Sequence, residues 1–209
     1  YTREMVAETK ELFDCLGVTW LEAPMEAEGA AAVRCRNNEV FAVASQDWDT
    51  LLYGAPVMIR NLTSHGTRKF GRVLHAEKIV LSEMLEMHEI TYEQLVDLGI
   101  MIGTDFHPGI KGIGPKTGLK LIKKHITMEE VSIAKGFDLP DNLEEIRTLF
   151  TDHPVHPIPL PESTKSIEEN IRIFAISRGF SEKRIVRAVT RLANANRLKS
   201  ESQPTLFDF

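Results

Sequence analysis

The chain has 209 residues, 43% of them hydrophobic, and a formal net charge of −5 at pH 7. This is enough apolar material for a full core, as one domain or a domain plus an appendage. No apolar run approaches membrane-spanning length and no signal-peptide pattern is present, which argues against a helical membrane protein.

Cys15 and Cys35 form neither a disulfide framework nor a metal pattern, and read as small buried apolar residues of a protein in a reducing interior. The chain begins at Tyr1, already inside a helical pattern, and reads as a piece of a longer protein.

In chain order, Met5, Leu12, Phe13 and Leu16 predict a helix from Thr2 to Leu16, stopped by Gly17. Val18 to Leu21 reads as a short strand. After the turn at Pro24, the alanine-rich stretch Glu26 to Arg36 reads as helix. Val40 to Ala44 is an uninterrupted apolar run, the pattern of a strand buried on both faces. Val57 to Ile59 predicts a third strand. This alternation argues for a parallel α/β sheet, whose ligands gather beyond the carboxyl ends of its strands. From residue 75 onward the pattern is helical, at roughly 76–87, 91–102, 115–125, 127–134 and 141–150. Pro154, Pro157, Pro159 and Pro161 make 152–162 extended. Helices near 166–178 and 181–198 follow, then a mobile polar tail over 199–209. The expected organisation is residues 1–75 as the end of an α/β core and 76–151 as a helical region. A proline-rich crossing with terminal helices follows at 152–198, then the tail.

Five acids fall where such a sheet would offer a pocket. Asp47 and Asp49 follow the Val40–Ala44 strand, and in extended chain residues two apart point the same way. Glu26 and Glu28 open the alanine-rich helix. Two positions apart on a helix do not share a face, so either Glu26 lies in the preceding turn or one glutamate coordinates alone. Asp105 is the fifth. Clustered oxygen ligands suit Mg²⁺ or Mn²⁺, and two such ions can activate a water and stabilise a leaving phosphodiester oxygen. Taken singly, each acid also fits a helix cap or a surface charge.

Shortly after Asp105 comes Ile110-Lys111-Gly112-Ile113-Gly114-Pro115. Glycines permit positive φ and close backbone approach, and Pro115 suits the first helical position, with Gly114 as N-cap. The free N–H groups of such a helix start can seat a phosphate. Lys111, Lys116, Lys120, Lys123 and Lys124 surround this turn with no acid among them, where a face built for solubility mixes its signs. A second run with one acid, Glu182, carries Arg178, Lys183, Arg184, Arg187, Arg191, Arg197 and Lys199. Two basic patches on an acidic body are what electrostatic recognition of phosphates requires. The seven histidines include no zinc-type pairing, His153 and His156 are given no role, and no Ser-His-Asp or Cys-His signature is present. Aromatic residues are few enough that base stacking is not the evident binding mode.

These stretches together resemble the flap endonucleases of the XPG-like 5′-nuclease group. The resemblance rests on Ala-Pro-Met-Glu-Ala-Glu at 23–28, Ser-Gln-Asp-Trp-Asp-Thr-Leu-Leu-Tyr-Gly-Ala-Pro at 45–56, Arg60-Asn61-Leu62-Thr63 and the 103–116 segment. It runs from Tyr1 to Phe209. It implies an α/β fold, a partial parallel sheet flanked by helices (PIN/5′-nuclease-like), with a helix-hairpin-helix-type DNA-binding region. The implied activity is Mg²⁺-dependent 5′-flap endonuclease and 5′-3′ exonuclease action in DNA replication and repair. Glu26, Glu28, Asp47, Asp49 and Asp105 would be the catalytic metal ligands for two Mg²⁺ ions, with Mn²⁺ able to substitute. Gly109 to Lys124 would bind the duplex backbone of flapped or branched DNA, including Lys111, Gly112, Ile113, Gly114, Lys116, Lys120, Lys123 and Lys124, with K⁺ at the turn. The family's amino-terminal part, with two further aspartates and the helical arch, is not matched in this chain, which is therefore expected to cut poorly alone. At the other end, Gln203-Pro204-Thr205-Leu206-Phe207-Asp208-Phe209 resembles a sliding-clamp (PCNA-type) interaction box, lacking its second terminal aromatic. Gln203, Leu206, Phe207 and Phe209 would make that contact. The family implies an archaeal cytoplasmic location, or a nuclear one in a eukaryote. The competing readings are a non-catalytic DNA- and clamp-binding module or split-nuclease subunit, and a relative that cuts bubbles or junctions.

Overall fold

A computed structural model describes residues 2–69, 71–154 and 168–201. The chain divides into two compact units, one of Tyr1–Leu21 with Ile158–Phe209 and the other of Glu22–Pro157. Among the described residues no helix is long and apolar enough to cross a membrane.

The first unit is helical. Helix α1 spans Arg3–Leu16; the Thr2 hydroxyl accepts from the Met5 N–H at its start, and Gly17 closes it in the left-handed region. It packs with α9, Glu168–Ser177, and α10, Glu182–Glu201, around buried Ile171, Ile185 and Val189, with Cys15 and Leu16 half-buried beside them. Arg178 donates to Glu8 and to Glu11, each at 2.8 Å. The first member of the second basic run is thus already paired, while Lys183, Arg184, Arg187 and Arg191 are exposed. Residues 199–201, expected in the tail, continue α10 instead. The clamp-box residues Gln203, Leu206, Phe207 and Phe209 lie outside the described residues.

The second unit holds the sheet and most of the core. Helix α2 spans Ala27–Arg36, strand β1 Val43–Ala44, the one-turn helix α3 Asp49–Leu52 and strand β2 Val57–Arg60. Strands β1 and β2 run parallel across the α3 crossover, with Val43 opposite Met58, as alternation of strand and helix requires. Residues 77–80, expected to open a helix, form strand β5, Glu77–Val80, antiparallel to β2 with Val57 opposite Val80. The β-branched Ile79 and Val80 fit a pleated edge, and helix α4 begins only at Leu81, running to His88. The sheet is therefore mixed, not purely parallel. Val18 to Leu21 forms no strand, and of the Val40–Ala44 run only its last two residues pair. Between β2 and β5 lies a hairpin of β3, Arg68–Lys69, and β4, Arg72–Val73.

Helix α5, Tyr92–Ile102, begins with a reciprocal capping box between Thr91 and Gln94. It packs against α6, Pro115–His125, α7, Met128–Lys135, and α8, Leu143–Thr151. The core includes Met58, Ile100, Met101, Ile122, Met128, Val131 and Phe150, all fully buried, and Cys35 is buried among them as expected. Asp97 on α5 is buried as well. It accepts two hydrogen bonds from Arg147 on α8, each at 2.8 Å, and one from the Met128 N–H that starts α7. One carboxylate thereby fixes three helices. The Tyr92 hydroxyl donates to the Leu52 carbonyl oxygen at 2.6 Å and ties α5 to α3.

Candidate metal and nucleic-acid site

The fold brings the five acids into one field. Glu26 is the N-cap of α2 with extended backbone, and Glu28 lies one residue inside that helix. The first of the two geometries open for this pair is thus the one adopted. Beyond β1 the chain does not stay extended. It bends at Gln46, and Asp47 accepts the Asp49 N–H at 3.0 Å while its own N–H donates to the Ser45 hydroxyl. Asp49 starts α3. The extended geometry expected for Asp47 and Asp49 is replaced by a local side-chain turn, the usual competition that Ser and Asp offer at a strand end. The Ser45 hydroxyl also reaches Glu28 at 3.5 Å. Asp105 sits at the tip of a turn closed by two backbone hydrogen bonds between Thr104 and His107, directly after α5.

Glu26, Asp47 and Asp105 are exposed, while Glu28 and Asp49 are half-buried. Burial pushes the Asp49 carboxyl up to about 6, helped by the charges of Asp47, Asp105, Glu28 and Glu26, in that order. Burial first, then Glu26, Asp49, Glu28 and Asp105, also raises the Tyr53 phenol. Every acid singled out in the sequence thus acts on one point. Among the described residues, however, no three of these side chains stand close enough to grip one ion between them. An all-carboxylate donor set suits a hard divalent cation, and the mutual repulsion felt at Asp49 is what such a cation would relieve.

Tyr53 shows how the floor of the site is built. Its ring packs against Phe150 and His153, each at 4.9 Å between centroids. His153, given no role from sequence, is buried, and its ring lies so close to α2 that a Cβ on Gly29 would come within 2.7 Å of it. Its proline-rich setting had masked a packing role.

The glycine turn has its expected form. Gly114 caps α6 with Pro115 at the first position, Gly112 has φ of 86°, and the Ile113 N–H donates to the Ile110 carbonyl at 2.9 Å while its side chain is buried. The close backbone approach falls elsewhere, at Gly109, where φ is 82° and a Cβ would lie 2.3 Å from the Ile102 carbonyl oxygen. Lys111, Lys116, Lys120, Lys123 and Lys124 are all exposed, and Lys123 is paired with Glu89.

Two features escaped the sequence reading. The stretch 60–76 contains Arg60, Arg68, Lys69 and Arg72 with no acid, and the hairpin exposes Arg68 and Arg72; a count of charge by segment would have found it. The other is Trp48, discounted with the few aromatics, which is 52% exposed between Asp47 and Asp49.

A small mixed sheet flanked by helices, with acids past a strand end and a glycine turn between two packed helices, defines a fold of the XPG-type 5′-nuclease class. Residues 17–105 match the XPG I-region family model. The chain is 37% identical over 99% of its length to a flap endonuclease 1 of Ignicoccus hospitalis, covering 61% of that protein. It is 40% identical over 90% of its length to one from Methanoculleus marisnigri, covering 57% of it. The solved flap endonuclease-1 of Methanococcus jannaschii superposes with a TM-score of 0.78 at 33% identity, over 94% of this chain and 60% of that one. The catalytic core of Rad2 in complex with DNA superposes with a TM-score of 0.79 at 18% identity and shares the fold. The chain is similar to flap endonucleases of the XPG-like group over nearly its whole length, and it spans about three-fifths of the length of the curated relatives it matches.

Proposed function

We propose that this chain is part of a structure-specific nuclease that hydrolyses phosphodiesters at 5′ flaps in DNA. The observation that carries the reading is the convergence of Asp47, Asp105, Glu28 and Glu26 on a half-buried Asp49. So much uncompensated negative charge past a strand end calls for cations, and perturbed carboxylates in a cleft mark chemistry. Glu26, Glu28, Asp47, Asp49 and Asp105 would hold two Mg²⁺ ions. Bound there, such ions supply activation of the attacking water and stabilisation of the leaving oxygen. The protein's own part is placement: Asp47 turns the chain so that Asp49 enters from α3, and the closed Thr104–His107 turn carries Asp105 within electrostatic reach of it. The Gly112–Gly114 turn and the exposed lysines around α6 would grip the duplex backbone through its phosphates, and the exposed Arg68 and Arg72 of the hairpin would offer further phosphate contacts. Flap specificity and DNA as substrate rest on the named relatives; clamp docking rests on the sequence of the carboxyl-terminal box.

Binding of a flap-bearing duplex, followed by anisotropy across a salt series, tests the grip. Lys120→Ala should weaken binding alike for all sequences and lower the salt slope by about one. A loss confined to one DNA sequence would contradict backbone recognition.

A further inference from the structure

The structure contains an exposed tryptophan that the metal and phosphate roles leave unused. The guanidinium carbon of Arg60, at the end of β2, lies 4.2 Å from the centroid of the Trp48 ring. That contact covers one face of the indole. With that contact in place, 52% of the residue's surface remains accessible. The Nε of Arg60 is buried and has no hydrogen-bond partner among the described residues, so the guanidinium is held by stacking and not by a carboxylate on that nitrogen. An aromatic ring clamped from behind by a cation is a rigid platform, already ordered before any ligand arrives.

Its position decides what could lie on it. Trp48 and Asp49 line a groove of about 840 Å³ together with Lys78, Glu83 and, at the start of α6, Pro115 and Lys116. The groove thus brings Asp49 of the acid cluster and the first residues of α6 onto one mostly apolar surface, which carries the ammonium groups of Lys78 and Lys116 beside the carboxylate of Glu83. A flat, π-bearing group attached to a phosphate chain meets the ring, the apolar surface and the two ammonium groups at once.

We propose that the exposed ring of Trp48, held by Arg60, stacks a nucleobase next to the phosphodiester presented to the acid cluster. This deepens the nuclease reading and rests on it. It gives the chain a base contact tolerant of sequence, because every base has a π-face. It adds a stacking contact to a chain whose few aromatic residues do not make base stacking the evident binding mode.

The chain has two tryptophans, so a Trp20→Phe background leaves Trp48 as sole reporter. Titrating that protein with a 5′-flap duplex, without divalent metal to prevent cutting, should quench Trp48 fluorescence in step with the anisotropy of labelled DNA. Trp48→Ala should weaken binding about tenfold and Trp48→Phe much less, since a ring remains. Arg60→Lys keeps the charge but loses the planar stack and should reduce the quench. A flap duplex with an abasic site beside the junction should still bind while quenching less. DNA that binds by anisotropy with unchanged Trp48 fluorescence, and with equal affinity in Trp48→Ala, would overturn the stacking contact and leave the nuclease reading standing. Failure of the unaltered chain to bind DNA at all would remove both.

Discussion

At the scale of single residues, Asp49 makes the most direct claim. An aspartate ordinarily titrates near 3.8, and here burial followed by the surrounding acids lifts it to about 6. The folded state therefore holds this proton more tightly than the unfolded one. Across the window between about pH 4 and 6 it binds more protons, so its stability falls as pH rises, and the deficit persists above that window. A shift of two units amounts to about 3 kcal/mol for a group cut off from water, and solvent screening of a half-buried carboxylate reduces it to about 1 kcal/mol. Asp49→Asn should thus stabilise the chain by about 1 kcal/mol at pH 8 and by nearly nothing at pH 4, measured by urea unfolding. Millimolar Mg²⁺ should raise the unfolding midpoint of the unaltered chain at pH 8 and do so far less for the variant. An Asp49→Asn protein less stable than its parent at pH 8 would mean that the acids do not repel one another as described.

Among elements, the assembly of α5, α7 and α8 depends on one pair. Asp97 is buried on α5, and Arg147 of α8 meets both of its oxygens while also reaching Glu129 on α7 at 2.7 Å. Removing one partner strands a charge in the interior, which costs far more than the intact pair contributes. Arg147→Met, although it packs well, should destabilise the protein by about 3 kcal/mol. Lys183→Met, on the exposed face of α10, should change stability by less than about 0.5 kcal/mol. Equal midpoints in urea for the two variants would show that the ion pair does not hold these helices. The consequence reaches function, because α5 carries Asp105 at its end and packs against α6, whose start forms the glycine turn.

For the molecule as a whole, separate sites should be separable by experiment. The acids and the glycine turn belong to one compact unit, Glu22–Pro157, and the box Gln203 to Phe209 belongs to the chain's carboxyl terminus. Phe209→Ala should abolish binding to a PCNA-type clamp, while anisotropy shows DNA binding unchanged. Affinity for the clamp should be modest, on the order of micromolar, because so short a segment offers few anchoring contacts. A Phe209→Ala chain that still binds the clamp would sink the box assignment.

What the sequence determined by itself was chemistry and punctuation. The identities of Glu26, Glu28, Asp47, Asp49 and Asp105 indicated hard cations, and Gly114-Pro115 placed the start of α6 correctly, because caps and glycine turns are local events encoded within a few residues. The helices near 91–102, 115–125, 127–134 and 141–150 were legible for the same reason, through an apolar period that matches their turn. Tertiary structure decided the rest. Whether 77–80 pairs with β2 or starts a helix depends on an edge that β2 offers, not on its own residues. Whether Asp47 and Asp49 share a face depended on a side-chain turn, and the lift of Asp49 toward 6 exists only once distant acids share its surroundings. His153 and Trp48 followed the same logic. One became floor and the other an open ring because of partners far along the chain, Gly29 and Arg60, and contacts of that kind leave no period or spacing to read.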